Sequence, residues 1–426
     1  MTISIFLGSL LGAMALGVPI AFALLLSGVA LMYHLDLFDA QILAQNVING
    51  ADSFTLLAVP FFMLAGEIMN HGGLSKRIVN LAMAIVGHIR GGLGYVAIVA
   101  ACLLAALSGS AVADAAALAS LLLPMMVKAG HDKGRSGGLI AAAGIIGPVI
   151  PPSIGFVVFG VAANVSISKL FMAGIFPGIL LGASLWITWW LMMRKENITP
   201  PPRKSRAEVK QALKESSWAM MLPVIILVGL RMGVFTPTEA AVVAAVYALF
   251  VATVIYRELS IKDLYPIFVT SARTSAVVMF LVAAAMVSAW LITVADLPSQ
   301  LVSLVEPLIG HPMLLMAAIM VLVMAVGTAM DMTPTILILT PVLMPVIKAA
   351  GIDPVYFGVL FIINNAIGLV TPPVGTVLNV VAGVGRMSMD DVTKGVFPFV
   401  IAEFGIMFLM VLFPELVLWP AKFFGG

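Results

Sequence analysis

The sequence predicts an all-α polytopic membrane protein made of two inverted-topology repeats, each with a re-entrant helical hairpin and a proline-broken transmembrane helix. Three observations carry that prediction. Of 426 residues, 62% are hydrophobic and only 10% charged, with a net charge of +2, whereas ordinary soluble domains sit near 45–50% apolar and about 25% charged. Apolar stretches repeatedly reach the roughly 20 residues that a bilayer-spanning helix needs. A double proline interrupts two of them, in GPVIPPSIG at 147–155 and GLVTPPVG at 368–375.

The first 35 residues contain no Asp, Glu, Lys or Arg. They lack the basic start of a cleaved signal peptide and are too long an apolar run for one. Residues 3–33 therefore read as a first span leaving a cytoplasmic N-terminus, with 53–70 as its return. Lys76, Arg77 and Arg90 flank an apolar middle, which suits an interfacial or tilted helix, and short basic loops stay cytoplasmic. From Gly91 to Val127 the only charge is Asp114, and the stretch is short for two crossings with a turn, which need about 40 residues or more. It reads as a hairpin over 91–128 with its tip at Ser108-Gly109-Ser110; two full crossings would reverse the orientation. Residues 136–165 form the broken helix and 170–193 return. Trp186, Trp189 and Trp190 suit an interfacial belt there.

Residues 194–217, with three consecutive prolines and a basic excess, read as a cytoplasmic linker between a first repeat at 1–193 and a second part at 218–426. The latter holds an extra helix at 218–235, scaffold to 310, a hairpin over 313–348, a broken helix over 353–385 and a last span ending at a periplasmic C-terminus. The stretch 260–275 reads as a second interfacial segment. Lys128 and Lys348 mark hairpin ends.

Several chemistries are excluded. A single cysteine, Cys102, allows no internal disulfide or multi-Cys metal site. The five histidines form no HExxH-type cluster and fall at membrane ends or loops, the 27 methionines are dispersed, and no GxxxxGK[ST] stretch binds ATP. Neither an intramembrane hydrolase nor a nucleic-acid partner fits. Energy for work must come from an ion gradient or from another subunit.

One offset links the halves. Pro151 and Pro372 lie 221 positions apart, as do Gly147 and Gly368, Pro124 and Pro345, Gly130 and Gly351, and GIFP at 174–177 with GVFP at 395–398. The unpaired helix at 218–235 makes the second copy enter from the opposite face, an inverted-repeat plan shared by many secondary transporters. Paired prolines break a helix, and freed carbonyls in a bilayer are tolerated only where they line a cavity or are buried in protein. A break facing a tip of hydroxyls and glycines forms an oxygen shell suited to a dehydrated hard cation, sodium. Half-helix N-termini at the same place favour an anion. Packing kinks are the simpler alternative.

The first cation site is assigned to the hydroxyls of Ser108 and Ser110 with the carbonyls of Gly147, Ile150 and Pro152. The second uses Gly327, Thr328, Gly368, Thr371 and Val374. Thr376 and Asn379 are placed toward substrate, with Asn364 and Asn365 beside them bracing freed backbone. Asp114 and Asp331 recur four residues beyond Ser110 and Gly327, as helix caps or as coupling carboxylates. Glu67 and Glu239 sit near predicted membrane ends. No arginine falls at a predicted midplane.

The segments LSGSAVADAAALASLLLPMM with GPVIPPS, and VGTAMDMTPTILILTPVLMP with NNAIGLVTPPVG, resemble the large membrane subunit (DctM/SiaM type) of tripartite ATP-independent periplasmic transporters. The likeness covers essentially the whole chain and leans to the sialic acid branch. It implies an elevator-type importer in the bacterial inner membrane, driven by a Na+ gradient. The implied partners are a small four-helix membrane subunit, packed on the interfacial stretches, a periplasmic substrate-binding protein, membrane lipids, and an organic acid such as sialic acid or a C4-dicarboxylate. A channel, or a sodium-independent or proton-coupled anion facilitator, is the alternative.

Overall fold

The computed structural model describes all residues except Met1, Lys195, Asn197, Thr199 and Gly426, and the described residues contain helices and no strand. The first helices are α1 (Thr2–Ala15), α2 (Ile20–His34), α3 (Ala40–Ala51), α4 (Ala58–His71) and α5 (Leu74–Val86). A helical hairpin follows as α6 (Gly92–Ser108) and α7 (Ala111–Lys128), then the broken pair α8 (Lys133–Gly144) and α9 (Ile154–Ala163), then α10 (Ile167–Met193). Next come α11 (Arg206–Arg231), α12 (Pro237–Phe250), α13 (Ile261–Val294), α14 (Leu297–Leu304) and α15 (Glu306–Ile309). The second hairpin is α16 (Pro312–Gly327) with α17 (Met332–Ala349), followed by the broken pair α18 (Pro354–Gly368) and α19 (Thr376–Gly385), then α20 (Met389–Leu412) and α21 (Glu415–Gly425). Among the described residues, eight helical stretches are long and apolar enough to cross a membrane.

Helix starts follow cap chemistry. Ser110 accepts from the Ala113 N–H, Ser153 from Phe156, and Asp353 from Val355 and Tyr356, each such cap contributing about 1 kcal/mol. Thr236 and Glu239 form a reciprocal capping box with Pro237 behind it. Glu239 is thereby spoken for as a cap, while Glu67 lies 3.7 Å from His71, one turn on.

Three boundaries and one side chain differ from the sequence reading. Residues 3–33 are not one crossing: Gly17, with φ +81°, and Pro19 turn the chain, and α1 folds back along α2. The charge argument counted a single crossing there, so it no longer fixes the side of the N-terminus. The stretch 260–275 is not a separate interfacial helix. Ser260 and Asp263 cap an unbroken 34-residue α13 that runs on to Val294. Residues 206–217 of the predicted linker are helix, because Ser205 and Glu208 cap α11 at Arg206; Lys195, Asn197 and Thr199 of that linker lie outside the described residues. Trp189 is no belt residue: it is fully buried and its indole N–H donates to the Gly91 carbonyl at 2.9 Å, whereas Trp190 is exposed.

The 221-residue offset recurs in the elements, relating Ala111 to Met332, Lys128 to Ala349 and Lys133 to Pro354 as helix limits. Packing between the copies is reciprocal, α7 lying on α19 and α17 on α9. Each hairpin thus covers the second half of the other copy's broken helix. α8 and α20 meet backbone to backbone, since a Cβ on Gly134 would sit 2.7 Å from the Asp391 carbonyl oxygen and Gly138 lies on Gly395, the close approach small residues allow in membrane helices. Basic ends collect on one face: Arg90 donates to the Glu196 carbonyl, Arg135 pairs with the Glu196 carboxylate, and Lys133 reaches the Arg386 carbonyl at 3.0 Å.

Candidate functional site

The two breaks and the two tips come together in the middle of the fold. At the first tip Gly109 has φ +63°, a conformation that favours glycine, and a Cβ there would run into the Pro152 carbonyl. The break is an irregular turn from Ile145 to Ser153 with a cis Pro151–Pro152 bond, closed by Ser153 donating to the Pro148 carbonyl at 2.5 Å. Ser108 donates to Asp114 Oδ1 at 2.5 Å and accepts from the Ser110 N–H at 3.2 Å. Asp114 is buried, and its Oδ2 has no hydrogen-bond partner. A Cβ on Gly147 would lie 2.6 Å from that oxygen and 3.2 Å from the Ser110 carbonyl carbon. Ser108, Ser110 and Gly147 therefore gather around the Asp114 carboxylate, with the Pro152 carbonyl held against the tip at Gly109. Ile150 belongs to the same turn, with its side chain packed on Gly178 of α10.

The second tip repeats the arrangement with different atoms. The Thr328 carbonyl accepts from the Val374 N–H at 3.2 Å, joining tip to break across a second cis bond, Pro372–Pro373. A Cβ on Gly368 would sit 2.7 Å from the Gly327 carbonyl oxygen, and one on Gly327 would be 3.7 Å from Asn365 Oδ1. Asn365 is buried, its amide donates to the Phe361 carbonyl, and its Oδ1 is without a partner. The hydroxyls of Thr328 and Thr371 donate back to Ala325 and Ile367 in their own helices, leaving their lone pairs to accept or to ligate.

A cavity of about 490 Å³ lies between these elements. Ser110, Ala111 and Val112 open α7 into it, Ile154 and Gly155 open α9, and Met332 and Thr333 open α17 beside Asp331. Three helix N-termini thus converge, a setting that favours negative charge. The opposite wall is α13, through Thr270, Arg273 and Thr274, with Met63 of α4. Thr376, Asn379, Asn364 and Asn365 are not among the residues lining it. Thr376 lies 3.5 Å from Asp331 Oδ1, Asn379 donates to the Val374 carbonyl, and buried Asn364 ties α18 to the Met320 carbonyl of α16.

The two acids are not equivalent. The offset maps Asp331 onto Ser110 and Asp114 onto Thr335, and Asp331 opens α17 as an exposed residue while Asp114 is enclosed. Sequence reasoning passed over Arg273, whose signal was the unbroken 261–294 run with Thr270 and Thr274 on the same helix face. It also passed over Glu403, fully buried in α20 with neither carboxylate oxygen partnered. A lone acid inside FPFVIAEFGIMF was the available signal.

Residues 7–416 match the family model described as the DctM component of the tripartite ATP-independent periplasmic transporter. The chain is 57% identical to the 2,3-diketo-L-gulonate TRAP transporter large permease protein YiaN of Escherichia coli over 99% of both chains. It is 39% identical to the sialic acid TRAP transporter large permease protein SiaM of Vibrio cholerae, over 98% of this chain and 97% of that one. The crystal structure of the Alcanivorax borkumensis YdaH transporter shares the fold, with a TM-score of 0.68 over 90% of this chain and 91% of its own at 16% identity. This multi-pass membrane protein belongs to the DctM family of large permease components of tripartite ATP-independent periplasmic transporters.

Proposed function

We propose that this chain imports an organic acid against its gradient by binding sodium ions at the two tip-and-break sites and the acid in the cavity between them. The observation that carries the reading is the orphaned Asp114 Oδ2, enclosed by Ser108, Ser110 and the broken backbone at Gly147. A buried carboxylate oxygen among hydroxyls and freed carbonyls is a donor set for a small hard cation. Asn365 Oδ1 beside Gly327 and Gly368 offers the same chemistry without the charge. Each sodium ion moving inward down 100 mV supplies about 2.3 kcal/mol.

The cavity has walls from two sets of helices, the interlocked hairpins and broken helices on one side, α13 and α4 on the other. An elevator motion would carry the first set past the second. The collected basic face is then the cytoplasmic one, which directs α20 toward the periplasm. The partners are a small membrane subunit and a periplasmic binding protein that delivers the acid. Among substrates, the higher identity to the diketogulonate permease favours an acid of the diketogulonate type over sialic acid. The proton-coupled alternative draws on Glu403, buried and unpartnered in α20.

The test is uptake into proteoliposomes holding this chain, its small subunit and the binding protein, under an inward sodium or an inward proton gradient. Sodium-dependent uptake lost in Asp114→Asn supports the reading. Uptake that follows the proton gradient and is lost in Glu403→Gln replaces it.

A further inference from the structure

We propose that Arg273 receives the carboxylate of the transported acid from the α13 wall of the cavity, an assignment that rests on the transport reading above. α13 is continuous from Ile261 to Val294, so Arg273 lies about 18 Å along its axis from the first residue at 1.5 Å per residue. A charged side chain well inside an apolar helix long enough to cross a membrane is unfavourable in lipid and is found facing a cavity or a partner. Arg273 lines the cavity, and among the described residues it has no hydrogen bond or ion pair to satisfy it. Thr270 and Thr274, one turn before and one residue after, line the same wall.

Across the cavity stand Ser110, Asp331 and Thr333 and the opening turns of α7, α9 and α17. The guanidinium presents paired N–H donors in a fixed fork that matches a carboxylate, and the helix N-termini add to the positive potential. The acids in the names of the two TRAP permease relatives, 2,3-diketo-L-gulonate and sialic acid, differ in chain length and substituents but both carry the carboxylate that one arginine would hold. Arg273 stands on the wall opposite both cation sites. Its substitution therefore weakens use of the acid and leaves use of sodium in place.

The experiment measures initial uptake of 2,3-diketo-L-gulonate into proteoliposomes containing the full complex, with unmodified chain, R273Q and R273K. At subsaturating acid, uptake by R273Q is expected to fall about 10- to 100-fold, the range of one lost charge-assisted hydrogen-bond pair, with half-saturating sodium moving less than about twofold. R273K is expected to lie between, keeping the charge without the fork. The acid's primary amide should compete poorly in the unmodified complex and as well as the acid in R273Q. An unchanged rate in R273Q overturns the assignment and leaves the transport reading standing; if R273Q does not assemble, an unchanged rate in R273K does the same. Uptake restored by the exchange R273D with D331R also overturns it, because Arg273 would then serve as a latch to Asp331. No uptake of this acid, of sialic acid or of a C4-dicarboxylate by the unmodified complex overturns the transport reading, and the assignment with it.

Discussion

Ser108 holds one oxygen of Asp114 at 2.5 Å and leaves the other, Oδ2, facing the backbone at Gly147 without a partner. The hydroxyl fixes the carboxylate so that the free oxygen points into the break. Replacing Ser108 by Ala releases that constraint, and Asp114→Asn removes the charge. Each is expected to raise the half-saturating sodium concentration for uptake about tenfold or more, on the scale of one hydrogen bond to a charged group. The check is initial uptake as a function of sodium concentration.

Gly147 and Gly368 touch what they face. A methyl on Gly147 meets Asp114 Oδ2 at 2.6 Å, and one on Gly368 meets the Gly327 carbonyl at 2.7 Å. Gly147→Ala and Gly368→Ala should each lower uptake at least about tenfold, the effect of misplacing one charged or carbonyl ligand. Gly383→Ala in α19 is the control, with nothing within 4 Å of the added carbon, and should leave uptake unchanged. It should raise stability by up to about 1 kcal/mol, the helix preference of Ala over Gly.

Trp189 packs against Gly94, where a Cβ would overlap the indole. Gly94→Ala overpacks the α6–α10 contact and should cost about 1–3 kcal/mol. Thermal unfolding of the purified complex would show a lower midpoint, with the sodium concentration for half-maximal uptake unmoved.

His131, between α7 and α8, is buried beside Trp189, and burial together with the Arg135 charge holds its imidazole below the ordinary histidine range. The unfolded chain then binds its proton more readily than the fold does. Its contribution is full above about pH 6.5 and declines as pH falls toward the lowered value. The unfolding midpoint should drop from pH 7.5 to about 5.5, and drop less in His131→Asn.

The punctuation of the site was legible because prolines and glycines act locally. Pro151-Pro152 and Pro372-Pro373 break their helices whatever surrounds them, the glycines at 109, 147, 327 and 368 permit the turn or close approach made there, and the spacing between copies placed tip against break. What stayed hidden depends on contacts between distant segments. Trp189 looked like a belt residue until Gly91 supplied its acceptor 98 residues away. Arg273 was misplaced because 260–275 was read as an interfacial segment, while the helix that begins there runs on to Val294. Asp331 seemed the twin of Asp114 because each follows a tip residue by four, yet the 221-residue offset already made it the counterpart of Ser110.

Sodium binding itself is the most direct test. Thermal unfolding of the purified complex, without substrate, would be followed as sodium replaces potassium at constant ionic strength, for the unmodified chain and for Asp114→Asn. A ligand that binds only the folded state raises the midpoint saturably. The account predicts a saturable rise with sodium, absent with potassium and smaller in Asp114→Asn, where only the site at Gly327 and Gly368 is left intact. No rise, or an equal rise in Asp114→Asn, would contradict it.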